Sequence, residues 1–192
     1  MGSKMLIKRK ILIIILIVAC VAAAIWVMKY PMLYHYYLWK LNHTADGKEM
    51  LVLTDNIETI SPHIVPLLVR TYEDTSASVK VRNAAALSLV KVDRERAEAL
   101  SIKFLQDKDN EVLAMAIFIL GEAKSTKPYR AILQSADSKD EKVRWAVVSY
   151  LGNFKNDESI SMLKHIQEND PSENIRGWAA YYLRLFGVSF SK

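Results

Sequence analysis

The residues of this chain best suited to catalysis are scattered, and their spacing names no reaction. Histidines stand at His35, His43, His63 and His165, none with a second histidine or a cysteine at the short separation a metal site uses. Cys20 is the single cysteine and lies inside an apolar run, so no disulfide can form within the chain. Serine, histidine and aspartate all occur, yet no nucleophile elbow singles out a serine and no glycine-rich loop is built to cradle phosphate. Asp46-Gly47 reads as a turn. These residues predict no catalytic group, no metal and no cofactor.

A period organises the rest. The same helix signature begins at Val81, Val112, Val143 and Ile175, at intervals of 31, 31 and 32 residues, as stacked-repeat proteins do. Offset +1 holds Arg82, Leu113, Arg144 and Arg176, and offset +4 holds Ala85, Ala116, Val147 and Ala179. Offset +5 holds Ala86, Ile117, Val148 and Ala180, and offset +8 holds Leu89, Leu120, Leu151 and Leu183. With 3.6 residues per turn, offsets 0, 4, 5 and 8 share one face, and small residues there admit a second helix closely. Gly121 and Gly152, at +9, are expected to end their helices in the left-handed conformation. Partner helices are expected over Ser61–Tyr72, Arg94–Gln106, Lys127–Gln134 and Glu158–Glu168, with Ser61-Pro62 as a start signal and Pro66 within the first turn.

Val65-Pro66-x-Leu68, Ser78-Val79-Lys80-Val81-Arg82 through Leu89, Lys142-Val143-Arg144 through Gly152, and Asn174-Ile175-Arg176 through Leu183 together resemble HEAT-like repeats. The likeness is narrower still to the short variety of phycobilisome lyases, and covers roughly residues 60–187. It implies an all-α right-handed α-solenoid of about four helix pairs. It also implies that the +1 arginines pair with carboxylates in a ladder between repeats, with Asp140, Glu141 and Glu173 nearby in the loops. Leu113, Val90 and Arg184 depart from the pattern. The family's iron-binding hydroxylases use His-Glu pairs, and here no histidine precedes a glutamate.

The N-terminus carries a second signal. Lys4, Lys8, Arg9 and Lys10 precede Ile11–Met28, 18 residues without a charge. That length crosses most of a hydrocarbon core, so a transmembrane anchor is expected. The basic flank predicts a cytoplasmic N-terminus and a translocated repeat domain, periplasmic in a Gram-negative cell. Trp26, Tyr30, Tyr34, Tyr36, Tyr37 and Trp39 suit the aromatic belt at the interface. Ile17-Val18-Ala19-Cys20 also resembles a lipobox, which would make the protein a lipoprotein through Cys20, although Val21–Met28 stays apolar. Asn42-His43-Thr44 is a glycosylation acceptor in a eukaryotic secretory setting only.

Lys and Arg total 26 against 21 Asp and Glu, and the excess of five is Lys4, Lys8, Arg9, Lys10 and Lys29. From residue 30 onward the chain is formally neutral, so nucleic acid is not an expected partner. Lys124, Lys127, Lys139, Lys142 and Lys155 read as solvated loop charges.

Apolar residues where a soluble repeat places charges are more informative. Offsets +2 and +6 hold Leu87, Phe118, Trp145 and Tyr181, a stripe that either binds a partner or is buried by rotation of the helices. On the surface made by second helices, Lys103, Tyr129, Arg130, Lys164 and His165 are further candidates. Trp178, Tyr181, Tyr182, Leu185, Phe186, Val188 and Phe190 crowd the last signature, which is expected to fold back as a plug or to be completed by another subunit, self-association included.

The expected organisation is a basic flank over 1–10, an anchor over 11–28, a juxtamembrane helix and degenerate first repeat over 29–60, with helices over Met32–Asn42 and Lys48–Ile57, and repeats over 61–192. The expected function is a non-catalytic membrane-tethered scaffold for a protein partner. A structural subunit of an envelope complex and, by resemblance, a bilin-lyase-like enzyme subunit are the alternatives.

Overall fold

The computed structural model describes residues 2–43 and 64–188, and among these residues all regular structure is helical. The expected Ser61-Pro62 start, the Lys48–Ile57 helix, the Asp46-Gly47 turn, His63 and Phe190 lie outside them. Backbone packing divides the chain into two units, residues 1–67 and 68–192. In the first, α1 (Gly2–His43) runs unbroken through Pro31. Its stretch Ile13–Lys40 is long and apolar enough to cross a membrane, and its Ile, Leu and Val side chains from Ile13 to Val18 are exposed. Twenty-eight residues of helix reach about 42 Å at 1.5 Å each.

Beyond α2 (Val65–Glu73), which begins with Pro66 in its first turn, the second unit alternates first and second helices. First helices are α3 (Val79–Val92), α5 (Asn110–Glu122), α7 (Glu141–Leu151) and α9 (Glu173–Leu185). Second helices are α4 (Arg94–Phe104), α6 (Tyr129–Leu133) and α8 (Asp157–Asn169). Each first helix packs on the next, α3 on α5, α5 on α7 and α7 on α9. The +8 leucines, Leu89, Leu120, Leu151 and Leu183, are fully buried, and so are Ala85, Ala116, Val147 and Ala179 at +4. α6 is shorter than the Lys127–Gln134 span expected for it, and α5 meets α7 most extensively where that second helix is reduced to little more than a turn.

Every first helix opens with an N-cap at offset −3: Ser78, Asp109, Asp140 and Ser172. Asp109 accepts from the Glu111 N–H and Asp140 from the Lys142 N–H, each at 2.8 Å, satisfying donors that a helix start leaves free.

The glycines correct an expectation. Gly121 lies inside α5, and Gly152 has φ −61°, so neither is left-handed. Their reason is contact between repeats. A Cβ on Gly121 would stand 3.0 Å from the Tyr150 Cα, and one on Gly152 would collide with the Tyr182 ring. The left-handed turns fall later, at Lys124 (φ 50°) and Gly187 (φ 78°), where Ser125 and Val188 N–H groups donate back to Leu120 and Leu183.

Candidate interaction surface

The +1 arginines share an offset and have different fates. Arg144 is buried and donates from Nε and Nη2 to the two carboxylate oxygens of Asp170, at 2.9 and 3.3 Å, and from Nη1 to the Ser138 and Lys139 carbonyls. Arg82 donates to the Tyr72 carbonyl at 2.9 Å and lies 5.2 Å from the Phe104 ring centre. Arg176 donates to the carbonyls of Asp170 and Pro171. The expected carboxylate ladder through Asp140, Glu141 and Glu173 is therefore not formed by these side chains. Backbone carbonyls at the preceding loop take most of the donors, and Asp170 supplies the one carboxylate among the described residues. The pair is also buried, so removing one partner leaves an uncompensated charge.

Carboxylates do link repeats elsewhere. Lys142 pairs with Glu111 and Lys127 with Glu98, so these two lysines are not simply solvated, and Ser172 donates to Glu141. Lys127 and then Ser125, by hydrogen bonding, hold the Glu98 carboxyl below its ordinary range. Hydroxyls repeat the motif one layer down: Tyr72 meets Ser101 at 2.8 Å and Tyr129 meets Ser159 at 2.6 Å, joining successive second helices. Burial pushes the Tyr72 phenol up to about 12, and it raises those of Tyr129, Tyr150 and Tyr182 as well. Tyr129 is half-buried between repeats, its ring against Tyr150 and Phe154.

Lys103, Arg130, Lys164 and His165 are exposed. His165 borders a cleft of about 340 Å³ beside Arg144 and Asp170, whose polar groups already satisfy each other. No group of three or more His, Cys, Asp or Glu side chains that could hold a metal ion occurs among the described residues.

The apolar stripe splits in two. Phe118 of α5 and Trp145 of α7 stack with ring centres 5.6 Å apart, and Trp145 remains 37% exposed. They wall a groove of about 420 Å³ across α3, α5 and α7, floored by Val79, Ala114 and Met115 and edged by the Glu111–Lys142 pair. Tyr181 belongs to a separate patch on α9, with its ring centre 5.6 Å from that of Trp178. Leu87 is half-buried on α3 and joins neither ring pair.

That second patch was only partly visible from composition. Trp178, Tyr181 and Leu185 are 45%, 43% and 61% exposed, while Tyr182, Leu183 and Phe186 turn toward the core. Gly177 lies beside them in mid-helix, and a Cβ there would meet nothing within 4 Å. An exposed helical glycine costs roughly 0.5–1 kcal/mol relative to alanine. Packing among the described residues offers no compensation for it.

Residues 98–184 match the family model of HEAT repeats, which takes in most of α4 and everything through α9. The chain is similar to HEAT repeats over this stretch, and the α3 signature upstream repeats the same offsets. No curated protein matches the chain. HEAT repeats commonly mediate protein–protein interaction, which fits a scaffold.

Proposed function

We propose that this chain is a non-catalytic, membrane-tethered scaffold that holds a protein partner through the groove walled by Phe118 and Trp145. One observation carries the reading: a tryptophan over a third exposed, stacked on a second ring, beside an apolar floor in a groove that spans three successive first helices. Aromatic anchors in such settings dominate binding energy, and an apolar floor with a polar rim is the usual anatomy of a protein interface.

The tether in this reading is the apolar helix α1, with the basic flank on the cytoplasmic side and the repeats across the membrane. An N-terminal lysine cluster resists translocation, while the neutral repeat domain does not.

Mild crosslinking of the full chain in its native membrane, followed by purification, tests the scaffold. A stoichiometric partner is expected, with capture reduced at least about tenfold by Trp145→Ala, roughly 1.4 kcal/mol or more of binding energy. Capture insensitive to both Trp145→Ala and Phe118→Ala would remove this groove as the binding site. Protease protection on spheroplasts reads the side: digestion of the repeats from outside is expected, and full protection contradicts the topology.

A further inference from the structure

We propose that the exposed face of α9 pairs with the same face of a second copy of this chain, antiparallel, about a two-fold axis near residue 179. The helix is self-complementary about that point. Gly177 and Tyr181 are equally distant from residue 179, so in an antiparallel pair the Tyr181 ring of each copy lies over the Gly177 of the other. The gap left by the missing Cβ, which nothing among the described residues fills, is the seat for that ring. A large side chain and a vacancy stand at symmetric positions on one exposed face.

Charge is arranged about nearly the same point, with Glu173 six and Arg184 five positions from residue 179. Glu173 and Arg184 flank the aromatic patch at opposite ends of α9, both exposed, and neither makes an ion pair among the described residues. Antiparallel pairing brings Glu173 of each copy to Arg184 of the other, giving two equivalent contacts on the same flank. Trp178 and Leu185 then lie along the seam and leave water. The contact is heteropolar at both ends and apolar in the middle. A parallel pair would instead set like charges against each other.

The pairing is independent of the partner groove, which lies on α3, α5 and α7. A single helix pair is smaller than a standard interface, so a concentration-dependent dimer is expected.

The test is the mass of the full chain in detergent micelles against concentration. Glu173→Arg and Arg184→Glu should each raise the dimer dissociation constant about tenfold or more. The double variant, and an equimolar mixture of the two single variants, should return it to within about threefold of the original, because each mixture pairs opposite charges again. Gly177→Leu, which favours the helix but fills the seat, should abolish the dimer while raising thermal stability. A monomer at every concentration, a dimer indifferent to these substitutions, or single-charge variants that are not rescued by mixing would each overturn the assignment. Loss of partner capture by Trp145→Ala with the dimer intact leaves this inference standing.

Discussion

The junction between α5 and α7 and the outer face of α9 use the same residue types to opposite ends. At the junction, Gly121 lets Tyr150 of α7 press against bare backbone, as Gly152 does for Tyr182 of α9 one repeat on, and Arg144 of α7 is buried on Asp170. On the outer face of α9, Gly177 and Tyr181 sit side by side with no such neighbour among the described residues, and Arg176 donates to loop carbonyls. A glycine beside an aromatic is therefore a packing device in one place and an open surface in the other. What distinguishes them is whether another repeat stacks on top.

Substitutions can sharpen that contrast. The largest effect is expected at Arg144→Met, which strands the buried Asp170 carboxylate and should cost about 3–5 kcal/mol in chemical denaturation. Asp170→Asn in the same background should recover a good part of it. Alkaline pH comes next. The Tyr72 hydroxyl, held neutral by burial and pushed up to about 12, contributes stability that is complete below pH 10. It is lost as pH rises from 10 to 12, by roughly 1 kcal/mol per unit, because the unfolded chain ionises first. Tyr72→Phe should flatten that part of the pH–stability curve. Were the two curves to remain parallel from pH 10 to 12, the phenol would not be the titrating group.

The two glycine classes then separate by sign. Gly152→Ala drives a methyl group into the Tyr182 ring and should destabilise by about 1–3 kcal/mol, whereas Gly177→Ala should stabilise by about 0.5–1 kcal/mol. Equal effects at the two sites would erase the distinction drawn here. A change of similar size is expected at Trp145→Ala, about 1 kcal/mol from loss of the Phe118 stack, compared with 3–5 kcal/mol for the buried Tyr150→Ala. A loss at Trp145 as large as that at Tyr150 would mean the ring belongs to the core.

Periodicity made the first helices legible. Offsets 0, 4, 5 and 8 predict the buried face, and Leu89, Leu120, Leu151 and Leu183 occupy it without exposure. The cap at −3 was equally available, since Ser78, Asp109, Asp140 and Ser172 keep the same spacing to the first aliphatic residue. The ion pairs were less so. Asp170 lies 26 positions beyond Arg144, and nothing local distinguishes it from Asp140 or Glu141, which are nearer in sequence but cap or face the wrong way. The glycines at +9 carried the right position and the wrong meaning, because a helix stop and a close helix approach both call for a missing side chain.

Local sequence therefore determined where helices start, which residues face inward and how often the unit recurs, because those follow from 3.6 residues per turn and from capping within a few positions. It also determined that one helix is long and apolar enough for a membrane. Tertiary structure alone decided which ring meets which glycine, which acid neutralises Arg144, and that Trp145 and Tyr181 belong to two surfaces rather than one stripe. Those outcomes depend on the rotation and stagger of neighbouring helices, which distances of some thirty residues along the chain leave open until the repeats are stacked.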